Sequence, residues 1–346
     1  MKSFFKCKPL LTFMVIVGTV VGSGFLSGKE IVVFFTRFGK MSYFCIALAF
    51  LLFWGLFYFF LKFGSIAIKR LEKSKISPIL SAIICFILSS AMFAGIYSLV
   101  EGLPVYIRII VMWIVLMFAV RVAIRGSTTL EKLNLLLVPI MIVFLIMVLI
   151  RLFAPKTGTL FQGGFLPFSV LYCILYVVLN TCNSAIVIAS YADELTDKQK
   201  VQVSFFSALA LSVILLLGNI VLLQNSYSFG QDMPLLYMVS GLEKFVMSFI
   251  ILLGCSTTLF SLVYTVSSSL KSLSGNKWFI IFFSVVVPFV FSFLGFGVIV
   301  SFLYPLTSII GVFLLCDLFL IPLFKKVDKK VHSRCQDAKQ DDGSHD

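Results

Sequence analysis

Residues 18 to 30 read Gly18-Thr-Val-Val-Gly-Ser-Gly-Phe-Leu-Ser-Gly-Lys-Glu30. They sit inside an apolar run, Leu10 to Phe35, with the length and composition of a membrane span. Gly18, Gly22, Gly24 and Gly28 each weaken a helix by roughly 1 kcal/mol relative to Ala. Lys29 and Glu30 then place two charges where hydrocarbon is expected, at ~2.5–3.5 kcal/mol each. A helix that only anchored the chain would carry neither feature. The stretch predicts a membrane helix that is interrupted, with a binding site at the interruption.

The rest of the chain supports a membrane setting. Of its 346 residues 60% are hydrophobic and 12% charged, with a mean hydropathy of +1.09. Soluble domains run near 45–50% apolar and ~25% charged, so the expectation is an all-α polytopic membrane protein embedded in a lipid bilayer. The first apolar run is longer than the core of a signal peptide and leads straight into the glycine motif, so no cleavable leader is expected. The net charge of +13 comes from basic residues that flank apolar spans. It reads as topology and not as a nucleic-acid surface. The eight Cys are scattered without a Cys-x-x-Cys pair, so neither a zinc site nor a disulfide framework is expected. The two His, His332 and His345, both lie in the C-terminal tail. A histidine-based catalytic or metal site in the membrane is thereby excluded, and neither an enzyme nor a cofactor is expected.

Ten spans are expected: Leu10 to Phe35, Met41 to Phe63, Pro78 to Val100, a fourth ending near Val122, Leu133 to Phe153, Leu166 to Tyr191, Val201 to Leu223, Phe245 to Leu270, Trp278 to Leu294 and Val298 to Phe324. A short interfacial helix is expected from Pro234, and the Gly295-Phe296-Gly297 junction is the least defined boundary. With the N-terminus inside, 21 Lys and Arg fall on inner segments and six on outer ones, and Lys29 completes the 28. That asymmetry places both termini in the cytoplasm and favours an even span count. The domain reading is one transmembrane unit over residues 1–324 and a disordered polar tail over 325–346.

Ten spans divide into five plus five, and a repeat of odd span number must be inverted in the membrane. Inverted repeats with discontinuous helices meeting near the midplane mark secondary transporters. The two repeats would cover about 10–153 and 166–324. The first span has its glycine break about twelve residues in. Its counterpart, the sixth, carries Asn180-Thr181-Cys182-Asn183-Ser184 at similar depth, and a second discontinuity is expected there. In span three, Phe93 and Tyr97 are candidate aromatic walls of the site.

The stretch Gly18 to Phe25 resembles the first-helix motif of the amino acid–polyamine–organocation transporters, which share the sodium-symporter (LeuT) fold. The longer form from Gly22 to Glu30, followed by Phe34-Phe35 and Phe38-Gly39, is similar to YkvI-type membrane proteins of that superfamily. The resemblance implies a sodium ion held by the main-chain carbonyls of Gly18, Val21 and Gly254 and by the hydroxyls of Thr257 and Thr258. The bland reading of those hydroxyls is bonding within their own helix or to a neighbour. Amide groups at Gly22, Ser23 and Gly24 would face a substrate carboxylate, with Asn180, Thr181, Asn183 and Ser184 opposite. Close helix packing is the bland reading of Gly22 and Gly24.

Glu30 lies six residues past Gly24, about 9 Å along a straight helix, between midplane and outer surface. Lys29 and Glu30 are candidates for gating or coupling: an outer gate, a proton carrier or a contact for a cationic substrate. A structural ion pair is the alternative, with Lys29 free to snorkel outward. Asp317 is expected near Lys325 and Lys326, with proton coupling the minority option. The expected function is a secondary active transporter of a small solute such as an amino acid, coupled to Na+ or, failing that, H+. A ligand receptor of the same fold, resembling spore-germinant receptor subunits, is the alternative.

Overall fold

The computed structural model describes residues 8–74, 76–125, 128–153, 166–271 and 275–320. The loop from Pro155 to Gly164 and the tail over residues 325–346 lie outside the described residues. Among the described residues every regular element is helical.

The first span is interrupted twice. Helix α1 (Lys8–Val20) ends at Val21-Gly22, a five-residue helix α2 (Ser23–Ser27) follows, and α3 (Lys29–Phe34) resumes after Gly28. Gly28 sits at φ +82°, a region that favours glycine. At the first break the Gly22 N–H, which a continuing helix would direct to Gly18, bonds the Val20 carbonyl instead at 2.9 Å. The Gly18 carbonyl thereby leaves the helical ladder. At the second break Ser27 substitutes for lost backbone bonds: its hydroxyl donates to the Gly24 carbonyl (2.9 Å) and accepts from the Lys29 N–H (3.3 Å).

The remaining helices are α4 (Met41–Lys73), α5 (Ile76–Val100), α6 (Val105–Arg125), α7 (Thr128–Leu152), α8 (Leu166–Ser190), α9 (Asp197–Gln224), α10 (Pro234–Tyr237) and α11 (Gly241–Lys271). Eight helices of the described chain are long and apolar enough to cross a bilayer, and Lys8–Val20 and Pro139–Leu152 are shorter apolar helices. Helix α9 starts a turn earlier than its apolar run. Thr196 and Gln199 form a reciprocal capping box there, which satisfies two otherwise orphaned donors.

The last two spans are built with π-turns. Helix α12 (Lys277–Ile281) passes through a π-turn, Phe282–Val286, into α13 (Val287–Phe291); α14 (Phe296–Val298) passes through another, Ile299–Leu303, into α15 (Tyr304–Leu315). Each of these turns ends two residues before a proline, Pro288 or Pro305. A proline donates no N–H to the carbonyl four residues back, and the local register slip absorbs that loss. Gly295, at φ +91°, makes the turn between the two spans.

The broken first span runs through the middle of the bundle. On one side α4 packs against α8 and α9; on the other α5 packs against α11 and α15; α1 touches α8 and α9, and α2 touches α11. Ile16, Phe25, Phe34 and Phe35 on this span are fully buried. The rings of Phe34, Phe35 and Phe53 surround Tyr176 of α8, at 5.4, 5.0 and 6.0 Å between centroids. Gly95 lets α5 approach α11, since a Cβ there would meet Cys255 Sγ at 3.2 Å. Outward faces carry exposed Trp113, Met117, Phe302 and Phe313, as lipid contact requires. The chain is a multi-pass membrane protein.

One expectation is corrected. The sixth span is not discontinuous: α8 runs unbroken through Asn180 to Ser184. Its polar side chains bond their own helix, Asn180 Nδ2 to the Tyr176 carbonyl (3.0 Å), Thr181 to Val177 and Ser184 to Asn180 (2.8 Å). Such back-bonding to the residue four earlier lets polar residues sit in an intact apolar helix. Asp317 Oδ2 accepts hydrogen bonds from the hydroxyls of Ser74 (2.7 Å), just before α5, and of Ser77 in α5. Lys325 and Lys326 lie outside the described residues.

Candidate functional site

The second break redirects the first span. Because the chain turns at Gly28, Glu30 does not continue outward along a straight helix. Its side chain returns to the first break and fills the place a Gly24 side chain would take. A Cβ on Gly24 would overlap Glu30 Oε1 and stand 2.7 Å from Cδ and 2.8 Å from Cγ. The protein's own carboxyl group thus occupies the side of Gly24 on which a Cβ would stand.

Glu30 is only 5% exposed, and its Oε2 is buried without a hydrogen-bond partner. It borders a cavity of ≈ 30 Å³, room for about two waters or one desolvated ion. Thr19, Val20 and Gly22 of the first break form one wall; Asn180 and Asn183 of α8, Thr258 of α11 and Tyr304 of α15 add polar groups. Leu88, Met92, Leu179 and Leu262 complete it with apolar surface. Tyr304 Oη is buried without a partner, and so is Tyr176 Oη, which lies within electrostatic reach of Glu30.

Of the residues singled out from sequence, Gly22, Asn180, Asn183, Thr258 and Glu30 come together at this cavity. Gly18 and Val21 flank the first break without lining it. Thr257 turns into its own helix, donating to the carbonyls of Leu253 (3.0 Å) and Gly254 (3.2 Å), whereas Thr258 faces the cavity. Gly254 is where α11 meets its neighbours: a Cβ there would stand 2.8 Å from Met141 Cε and 3.0 Å from Leu26 Cδ1. Thr181 and Ser184 are buried against their own helix. The side chain of Ser23 lies outside the described residues.

Two aromatic candidates stand elsewhere. Phe93 is fully buried against Phe289 at 5.5 Å, and Tyr97 is 37% exposed beside Phe293 at 6.5 Å. Both pack α5 onto α13 and its continuation; the residue of that turn facing the cavity is Met92. Lys29 and Glu30 do not pair with each other. Lys29 Nζ donates to the carbonyls of Gln231 (2.8 Å) and Phe229 (3.4 Å) in the loop before α10, with Asp232 adjoining across Gly297. Thr19 and Tyr304 were not singled out from sequence. The one cue for Tyr304 was the following proline.

No protein-family model matches the chain. The chain is 24% identical over 340 residues to the uncharacterized protein YyaD of Bacillus subtilis (strain 168), covering 90% of this chain and 96% of that protein. Among solved structures it resembles Mhp1 in an inward-facing conformation, with a TM-score of 0.59 at 13% identity over 90% of this chain and 76% of that one. It also resembles Mhp1, a nucleobase-cation-symport-1 family transporter, in a closed conformation with bromovinylhydantoin bound, with a TM-score of 0.56 at 13% identity over 90% and 75% of the two chains. At such identity the likeness defines the fold. The chain is a multi-pass membrane protein with the helical fold of those two structures.

Proposed function

We propose that the chain is a secondary active transporter that moves a small solute together with a cation by alternating access around the broken first span. The observation that carries this reading is the cavity itself. A twice-interrupted helix brings a buried carboxyl group, helix-end backbone and polar groups of α8, α11 and α15 to one point, within a fold shared with a cation-symport transporter. Broken helices that line a cavity are how this architecture binds ions and solutes.

Sodium is the first coupling ion under this reading and the proton the second. An amino acid or related small organic solute is the substrate class that the YkvI-like glycine motif supports. The five-plus-five inverted organisation and the cytoplasmic placement of both termini, in the cytoplasmic membrane, belong to the same proposal and rest on the span pattern and the Lys/Arg asymmetry.

The test is uptake by the purified chain in proteoliposomes, using a panel of labelled amino acids under a sodium gradient, a proton gradient and none. Gradient-driven accumulation is the expected result. A ligand that binds but accumulates under no gradient would move the chain to the receptor reading. Within the transporter, Thr258→Ala should raise the sodium needed for half-maximal uptake, while Thr257→Ala, whose hydroxyl is used inside α11, should do so less.

A further inference from the structure

Glu30 brings a carboxyl group into the cavity, and no described basic side chain lines the cavity to balance it when ionised. Among the described residues lining the cavity it is the only acidic or basic one. Its sequence neighbour Lys29 is committed to the Phe229 and Gln231 carbonyls. A bare carboxylate in apolar surroundings is costly, so the position calls for a positive partner held at Oε2.

The oxygen groups at and near the cavity define the partner. Tyr304 and Tyr176 bring two buried phenolic oxygens without hydrogen-bond partners. Asn180 spends its Nδ2 on the Tyr176 carbonyl, which leaves its Oδ1 for the cavity it lines. Thr19 and Thr258 line the same space. These are oxygen donors, which suit a hard cation. A single carboxylate suits one positive charge, and the described residues hold no group of three His, Cys, Asp or Glu of the sort a multivalent metal uses. A cavity of ≈ 30 Å³ takes a desolvated ion with a water and excludes an amino acid.

We infer that Glu30 is the carboxylate ligand of a sodium site in this cavity, formed with Tyr304 and Asn180. This places the cation beside the first break of the first span, at the Glu30 carboxyl group that returns to it, not on the Thr257–Thr258 hydroxyl pair with the Gly18 and Val21 carbonyls. Calling it the coupling ion rests on the transporter reading; the site itself does not. The titratable groups that face Glu30 are Tyr176 from α8 and Tyr304 from α15, and the ammonium of Lys29 is directed to the Phe229 and Gln231 carbonyls in the loop before α10.

The experiment uses the full chain in detergent micelles and dicyclohexylcarbodiimide, an apolar reagent for membrane-buried carboxyl groups. Labelling of the Glu30 peptide is followed by mass spectrometry at one fixed pH in choline chloride, then with sodium, potassium or methylammonium chloride in its place. Labelling of Asp317 serves as the internal reference. Sodium at ten times its dissociation constant should slow Glu30 labelling about tenfold, because the free fraction falls as 1/(1 + [L]/Kd), and leave Asp317 unchanged. Tyr304→Phe should raise the sodium concentration for half-protection several-fold while Thr257→Ala leaves it in place. Sodium should also raise the melting temperature of the wild-type chain and not that of Glu30→Gln.

Labelling that is equal in all four salts would assign the carboxyl group to a proton and overturn the inference. Protection by methylammonium without protection by sodium would assign it to an organic cation and overturn it equally. Sodium protection without gradient-driven uptake would leave the site standing and remove the transporter reading. Sodium-driven uptake without protection would do the reverse.

Discussion

Replacing Gly24 by Ala inserts one methyl group where Glu30 already lies, overlapping Oε1 and within 2.8 Å of Cγ. The Glu30 side chain can yield into the ≈ 30 Å³ cavity it lines. Overpacking a buried site costs typically ~1–3 kcal/mol; because a flexible side chain yields, the low end, about 1 kcal/mol, is expected. The larger effect falls on the site, since the carboxyl group is driven into the space its ligand needs. Gly22 is the control, with nothing within 4 Å of a Cβ and an extended backbone at φ −92° open to any residue. The assay is unfolding in mixed detergent–SDS micelles for Gly22→Ala, Gly24→Ala, Glu30→Ala and the Gly24→Ala/Glu30→Ala pair. In the Glu30→Ala background the space is vacant, so Gly24→Ala should lose most of its cost, an interaction of about 1 kcal/mol between the two positions. If the Gly24→Ala cost is unchanged by Glu30→Ala to within ~0.3–0.5 kcal/mol, the additivity expected of independent sites, the reasoning that returns Glu30 to the first break is refuted.

Gly28→Ala should be the more damaging glycine substitution. It forces a non-glycine residue to φ +82° and meets Leu235 Cγ at 2.7 Å, so at least ~2 kcal/mol is expected from the backbone and packing together, read in the same unfolding assay. Lys29→Met removes two bonds from a charged donor to the loop before α10, worth about 1.5–3 kcal/mol each. A single Cys placed at Gln231 should then react faster with a water-soluble maleimide, and an unchanged rate would show that Lys29 does not hold the loop. Ser77→Ala removes one of two hydroxyl donors to Asp317 and should cost about 1.5 kcal/mol or more, whereas Ser74→Ala at the half-exposed edge should cost less.

The fold was legible wherever a physical cost had to be explained. Four glycines and two charges inside one apolar run announced an interrupted helix, and α1, α2 and α3 are that interruption. The Asn180 to Ser184 cluster carried the same outward sign and meant something else. Sequence shows that these side chains are polar, but not whether they replace lost backbone bonds, as Ser27 does, or add bonds to an intact ladder, as Thr181 and Ser184 do. The difference lies in backbone geometry: α2 and α3 are joined through a glycine at φ +82°, and α8 has no glycine in its broken-looking stretch. A polar cluster without glycine was the weaker evidence for a break.

The site was legible in its chemistry and less so in its placement. Glu30 stood out because an acid in a span is expensive, yet extrapolating 9 Å along a straight helix put it in an outer vestibule. The same Gly28 that marks the second break makes that extrapolation fail, since each break allows the chain to change direction. A chain with two breaks between Val21 and Gly28 has no single helix axis, so Gly22 and Glu30 can line one cavity. Tyr304 escaped notice because an aromatic residue in a chain with 11 Tyr and 39 Phe carries little information. Its position is set by Pro305, which costs a helical bond, and by the π-turn before it. Both ends of the cavity thus depend on departures from regular helix, Glu30 through a glycine and Tyr304 through a proline. That dependence gives a direct test of the second half: Pro305→Ala restores the missing donor and should let the helix from Phe296 return to regular register. Tyr304 would then rotate away from Glu30, and sodium protection of the Glu30 carboxyl group should weaken as in Tyr304→Phe, though the phenol itself is intact. Protection as strong as in the wild-type chain would show that the proline-linked turn does not position Tyr304.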